Sequence, residues 1–463
     1  MITKRKTLLC FLVCLILAVI AFATVSCGET IESESQPPKE SQSQIVAIAG
    51  TNGLEYTLSE DQTYYIISGY NGTSRKVVCG DYYKGLPIKE IGDNAFRGTS
   101  VETVNVTDGI EKIGEYAFFS CKQLSTVNFG NTVVEIGDYA FSACSLLTNV
   151  ILPEGFKKLS DHSFFRSINL ISVSIPESIS YIGCGAFEGC TNLQYALYDN
   201  AQYLGNTNNK YVALINYDLD EESCAVNVNT KVVAGGAFEN SIDLISVTVA
   251  SGVVAIGDRA FNNCFKLSEV ALPNTLETIG TSSFAYCSEL NKINLPSSLK
   301  KIGDGAFSHS GLTTIYIPDG VEAIEAYTFN GCSDLASIEL GVGIKRIGSY
   351  AFNDCVSLYE IVYKDISACQ IEKIGAFAFY NCINLPDNYF IPASIKYVDE
   401  NAFLNTTIRD VFTLHTTTSW QENNLSSATA LEGFTIYFYS ETKPTESQEK
   451  FFHFDQNGKI VIW

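Results

Sequence analysis

The chain has 463 residues, with 51 acidic against 30 basic side chains and a formal net charge of -21. An apolar fraction of 46% with 12% aromatics is ample for a core and excludes an intrinsically disordered protein. The acidic surplus excludes a nucleic-acid binder, because phosphate recognition needs a basic surface.

Residues 1–26 read as an export signal. Lys4, Arg5 and Lys6 give a positive start, and Leu8 to Val25 is an uncharged, largely apolar run of 18 residues. Small Ser26 precedes Cys27, which resembles the lipobox of bacterial lipoproteins and implies diacylation of Cys27 after cleavage. Thr24 stands where that motif usually has Leu. An ordinary cleaved signal and an uncleaved anchor are the alternatives, since 18 apolar residues just span a bilayer. All three export the chain, either to the cell surface on a membrane anchor or as a secreted protein.

Removing 1–26 leaves 27 basic and 51 acidic residues, a charge of -24. Anionic lipid repels such a surface, so attachment to the membrane depends on the lipid on Cys27. Residues 27–45 are therefore the lipidated Cys and a flexible linker: 28–45 has almost no apolar content and two adjacent prolines. Residues 46–86 alternate and are rich in Tyr, which predicts a small β cap.

From about 87 to 412 the chain repeats itself. An aliphatic residue recurs five positions before a Phe, mostly as Ile-Gly-x-x-Ala-Phe, with Phe at 96, 118, 141, 164, 187, 238, 261, 284, 307, 329, 352, 379 and 403. Most spacings are 22 to 24 residues; the exceptions are 51 and 27. Each unit also carries Leu-x-x-Ile-x-Leu-Pro, as in Leu290 to Pro296, the period-two pattern of a half-buried strand that ends at a Pro. In the Ile-Gly-Asp-x-Ala-Phe half, Gly is read as permitting a sharp turn and Asp as capping a short helical turn. One unit of about 23 residues cannot bury its own apolar side, but stacked copies share a core.

This pattern resembles the BspA-type leucine-rich repeats of bacterial cell-surface proteins. The resemblance implies a β-rich α/β solenoid, a right-handed leucine-rich-repeat horseshoe with a parallel sheet along one face. Thirteen strands at roughly 4.8 Å give a sheet about 60 Å long. It further implies adhesion to host extracellular proteins or other cells. The 51-residue gap holds an irregular insertion at about 199–231, read as a repeat that has lost its Phe and carries a protruding hairpin or loop. Asp218 to Glu222 reads as a solvated acidic loop. Residues 413–463, with two aromatic strand-like runs around a polar turn, predict a C-terminal β cap.

Little in the chain suggests chemistry. Eight cysteines lie three residues after a repeat Phe: 121, 144, 190, 264, 287, 332, 355 and 382; elsewhere the same position holds Ser or Thr. That interchange points to buried structural thiols, with cross-turn disulfides or a metal as alternatives. Asp161, His162 and Ser163 are adjacent and cannot converge as a triad. No HExxH, GxSxG or phosphate-binding glycine loop occurs, so no enzyme and no cofactor is expected. Asp93, Asp138, Asp258 and Asp304 recur after Ile-Gly, but Cys184, Thr281 and Ser349 break the column, which favours capping over calcium.

The strand face is the expected binding surface. Early repeats flank their buried residue with Thr103 and Asn105, Thr126 and Asn128, then Ser172 and Ser174. Later ones carry Tyr195, Leu197, Glu269, Lys292, Tyr316, Glu339 and Glu360, and aromatics beside carboxylates suit protein recognition. The expectation is a non-enzymatic binding protein for an extracellular or cell-surface ligand; an envelope spacer without a ligand is the alternative.

Overall fold

The structure is a computed structural model that describes residues 47–217, 221–445, 449–456 and 460–463. The signal segment, Cys27, the linker and Asp218 to Asp220 of the acidic run lie outside the described residues. Residues 47–463 form one compact unit. Among the described residues no helix is long and apolar enough to cross a membrane.

The repeats stack as a β-solenoid with parallel strands. Leu-x-x-Ile-x-Leu supplies one strand position, in which Thr103–Asn105 pairs residue for residue with Thr126–Asn128, one repeat later. A second parallel ladder runs through the aliphatic residue of Ile-Gly: Lys112–Ile113, Glu135–Ile136, Lys158–Leu159 and Tyr181–Ile182 follow one another. Most turns therefore carry a second short parallel strand besides the first. The sole α-helix of the described residues is Thr417–Glu422, in the C-terminal cap.

The segment from Ile-Gly to the Cys position is not helical either. Its N–H groups point alternately back within the turn and across to the next one. Asn94, Phe96 and Gly98 donate to the carbonyls of Glu115, Ala117 and Phe119, while Ala95, Arg97 and Thr99 donate to residues three back. Two left-handed residues per turn, such as Asn94 at φ 60 and Gly98 at φ 67, keep this alternation going. The Ile-Gly glycine serves close approach, not a sharp turn: a Cβ on Gly257 would stand 2.4 Å from the Gly235 nitrogen of the preceding turn.

The Asp position also works between turns. Oδ1 of Asp93 accepts from the Glu115 N–H at 2.8 Å, Asp138 from Asp161 at 3.0 Å, Asp161 from Cys184 at 2.9 Å and Asp258 from Thr281 at 2.6 Å. These residues cap the next turn, whose N–H the stacking places beneath them, and not their own.

Inside, the Phe rings form a column. Neighbours from Phe96 to Phe187 and from Phe238 to Phe403 stack with centroids 4.7 to 5.8 Å apart. The caps cover the two open ends: Tyr70 lies 5.4 Å from Phe96, and Phe434 lies edge-on at 6.2 Å from Phe403. Tyr70 belongs to Tyr65–Tyr70, which pairs antiparallel with Leu54–Leu58 and parallel with Leu86–Ile91. At the other end Asn388–Ile391, Asp410–Thr413, Thr435–Tyr439 and Lys450–Phe454 form a separate parallel ladder, and Ile460–Ile462 closes it antiparallel.

The cysteines are explained by the same stacking. Each of the eight thiols three residues after a repeat Phe donates to the carbonyl of the Phe one turn back: Cys121 to Phe96 at 2.9 Å, Cys264 to Phe238 at 3.1 Å, Cys355 to Phe329 at 3.1 Å. Ser167 does the same to Phe141 at 2.8 Å, which is why Ser replaces Cys there. In these turns the position holds a small donor that satisfies a buried carbonyl, whereas at Ser241 the hydroxyl is buried without a partner. All twelve cysteines of the described residues are free. Burial pushes the Cys190 and Cys264 thiols up to about 12, leaving them protonated and inert.

The insertion forms the expected hairpin, but it does not protrude. Ala201–Leu204 and Ala213–Tyr217 form an antiparallel hairpin whose second strand pairs parallel with Val232–Val233. Tyr203, Val212, Ala213 and Leu214 are fully buried. Alternate residues face opposite ways: Tyr203, Leu214 and Tyr217 join the core that runs on to the C-terminus, whereas Leu204, Ala213 and Ile215 join the core that begins at Ile67. The hairpin is a bulkhead between two cores, and Tyr217 takes the missing ring position, 4.9 Å from Phe238.

Candidate functional site

The first-position strands do not form one continuous sheet. Glu269–Ala271 ends one three-stranded sheet and Thr314–Ile317 begins another, and no strand is formed over 290–295. That break leaves a depression of about 450 Å³ lined by Lys292, Asn294, Tyr316, Glu339, Glu360 and Val362, among others. The structure thus brings four of the sequence-selected residues, Lys292, Tyr316, Glu339 and Glu360, to one place. Their order follows from register: Tyr316 pairs with Glu339 and Glu339 with Val362, while Thr314, Ser337 and Glu360 form the adjoining column.

Tyr316 is held from beyond its own strand. Lys364 Nζ donates to the Tyr316 hydroxyl at 3.3 Å and to Asp319 Oδ2 at 2.6 Å, and sits 5.7 Å from the Tyr316 ring centroid. The Tyr316 hydroxyl in turn donates to Asp319 Oδ1 at 3.4 Å, and Asp319 also accepts from the Val342 N–H. The bond from Lys364 is the main cause that holds the Asp319 carboxyl below its ordinary range. Sequence reading singled out neither Lys364 nor Asp319; they lie 48 and 3 residues from Tyr316, outside any period-two pattern.

The other selected residues stand apart. Glu269 is exposed on the preceding sheet, beside Ser246. Leu197 is 71% exposed, but on Ala196–Tyr198, which pairs antiparallel with the insertion hairpin. Tyr195 departs from the expected outward position. It precedes that strand, is half-buried and packs against the first core, where burial raises its phenol pKa. It lines a cleft of about 410 Å³ at the seam between the cores, with Cys184, Phe187 and Arg259.

The early strand face is less uniform than its short polar residues suggest. Ile151, 72% exposed, flanks buried Val150 and lines a depression of about 430 Å³ with Thr126, Asn128 and Asn149. Its outward position was legible from the alternation Asn149-Val150-Ile151. Elsewhere, His162 stacks on Tyr139 at 4.8 Å with its Nε2 3.7 Å from Glu188, and Ser163 donates to the Ser160 carbonyl, so the three adjacent residues face different partners.

Stacked turns of short parallel strands, a Phe column and a small-donor position define a leucine-rich-repeat solenoid. Residues 89–211, 217–336 and 300–432 match the BspA type leucine rich repeat region, and the chain belongs to that family. Among solved structures it is similar to a leucine rich cell surface protein from Faecalibacterium prausnitzii, with 23% identity over 69% of this chain and 95% of that one and a TM-score of 0.31. A leucine-rich repeat protein from Bacteroides ovatus is 21% identical over 84% of this chain and 98% of that one, with a TM-score of 0.32. One from Eubacterium ventriosum is 22% identical over 77% and 94%, with a TM-score of 0.34. No curated protein matches the sequence.

Proposed function

We propose that this chain is an exported, non-enzymatic surface protein that binds an extracellular protein, or a protein on another cell, through the strand face between Lys292 and Glu360. The observation that carries the reading is the Tyr316 ring, fixed by Lys364 and Asp319 at the edge of a depression that also presents Glu339 and Glu360. A rigid aromatic side chain gives contact area at low entropic cost, and such residues dominate interface energy. Two carboxylates against one Lys292 suit a partner that sets a basic side chain beside an apolar contact.

The test is equilibrium binding of the full chain to immobilised fibronectin and fibrinogen at physiological salt. Saturable binding is expected, with Tyr316→Ala weakening it by roughly thirtyfold and Glu339→Ala by less, both at an unchanged thermal midpoint. Wild-type affinity in Tyr316→Ala would remove this patch from the reading. Flat responses across a panel of matrix and plasma proteins would favour the envelope spacer without a dedicated ligand.

Membrane attachment through a lipid on Cys27 is the second part of the proposal, supported by the order of positive, apolar and small residues before it. Cys27→Ser is expected to shift the protein from the membrane fraction to the soluble fraction. Retention in the membrane would indicate an uncleaved anchor instead.

A further inference from the structure

One residue in each turn, two before the core Phe, adopts the left-handed conformation, and these residues line up in a column along the turn side of the solenoid. Where they are aromatic the rings stack: Tyr116 on Tyr139 at 5.1 Å, Tyr327 on Tyr350 at 5.1 Å and Tyr350 on Phe377 at 5.0 Å. Each turn of the column therefore accommodates one ring. Ser282 and Gly305 occupy the two positions before Tyr327 and supply none. The face of Tyr327 away from Tyr350 is consequently bare, and Tyr327 is 47% exposed.

The two vacated positions open a cleft of about 340 Å³. The stacked pair Tyr286 and His309, with centroids 4.8 Å apart, walls one side of it. One acceptor in the lining is exposed and unused. Asp304 follows Ile-Gly as Asp93, Asp138, Asp161 and Asp258 follow the aliphatic residue of their turns. Those four spend an Oδ1 on the next turn, whereas the exposed Asp304 carboxylate makes no hydrogen bond or ion pair among the described residues. Arg259 stands at the end of the cleft away from Tyr327, paired with Glu239.

We propose that this cleft binds a neutral carbohydrate, with one pyranose ring lying flat on Tyr327 in the space a stacked aromatic would otherwise fill. A pyranose has an apolar C–H face of slightly positive character, which suits the negative face of an aromatic ring. Its rim of hydroxyls donates to the acceptor that Asp304 leaves open, and a bond to an ionised carboxylate is stronger than one to a neutral acceptor. An arginine side chain from a partner protein also stacks on Tyr and pairs with a carboxylate. Arg259 already places a cation at this cleft, and the vacated position beside Tyr327 has the shape of a flat ring, so the uncharged hydroxylated ligand fits better. The site is separate from the strand face around Tyr316.

The full chain is to be screened against an array of defined neutral and N-acetylated oligosaccharides of two to six units, and hits titrated by calorimetry. At least one is expected to bind saturably, with Tyr327→Ala and Asp304→Ala each weakening it roughly tenfold or more and Tyr316→Ala leaving it unchanged. Gly305→Tyr is the decisive variant. Gly305 has φ 59, the value Tyr327 itself adopts, and an added Cβ meets nothing nearer than the Ser282 hydroxyl at 3.3 Å. Tyr there extends the ring stack into the cleft, so sugar binding should vanish while the thermal midpoint holds or rises. An array without a saturable hit, or binding that survives Gly305→Tyr, would overturn the proposal. So would capture of a triarginine peptide alone, falling steeply with salt.

Discussion

Phe284→Ala is expected to cost about 3–5 kcal/mol of stability. The ring is fully buried and stacks between Phe261 at 5.0 Å and Phe307 at 5.6 Å, so its loss removes two ring contacts and opens a hole in the middle of the column. A linear array has no distant contacts to share the damage, because each turn touches only its neighbours. The cost should therefore appear as local opening: in hydrogen exchange, amides that cross between the turns of Phe261, Phe284 and Phe307 lose protection, while those around Phe118 keep it. Phe284→Leu, which refills most of the volume, should cost appreciably less. A loss under about 1 kcal/mol in Phe284→Ala, or protection lost evenly along the chain, would show that the ring column is not what couples the turns.

The column and the cysteine position were legible because they recur: thirteen copies of one Phe, and a Cys that trades with Ser and Thr, name a buried ring and a small donor. Direction was not legible. A sequence gives the Asp after Ile-Gly one neighbourhood, its own turn, whereas stacking sets the N–H of the following turn 2.6 to 3.0 Å from its carboxylate. The glycine before it misled for the same reason, since the backbone it must approach belongs to the turn before. Among the candidate site residues, alternation about Ile315, Ile338 and Ile361 was enough to send Tyr316, Glu339 and Glu360 outward. Tyr195 broke that rule because the strand starts one residue later, at Ala196, and pairs antiparallel with the hairpin. Asp304 and Tyr327 carry no signal of their own in the sequence; they stand out only once the other turns show what that position normally does.

The insertion shows how a local departure becomes a global property, and Tyr203 is where that can be measured. A strand with one face to solvent alternates apolar with polar residues, but both faces of this hairpin are covered, so Ala213-Leu214-Ile215 reads as a continuous apolar run. Tyr203 is fully buried on the side of the C-terminal core, and its hydroxyl accepts from the Asn227 N–H at 3.3 Å. Tyr203→Ala should remove about 3–5 kcal/mol from the junction alone, whereas Tyr203→Phe, which keeps the ring, should lose about 0.5–1.5 kcal/mol. In a nearest-neighbour array, weakening one junction lowers cooperativity as well as stability. The chain has two tryptophans, Trp420 and Trp463, both at the C-terminal end, so their fluorescence reports the second core while far-ultraviolet circular dichroism reports both. In urea the two signals should change together in the wild type and in Tyr203→Phe, and separate in Tyr203→Ala. Coincident transitions in Tyr203→Ala would mean that the direct bonds across the seam, Gly235 N–H to the Ile182 carbonyl at 2.8 Å and the Tyr181 hydroxyl to Asp258 at 2.8 Å, couple the cores without the hairpin. Transitions already separate in the wild type would mean that it never joined them.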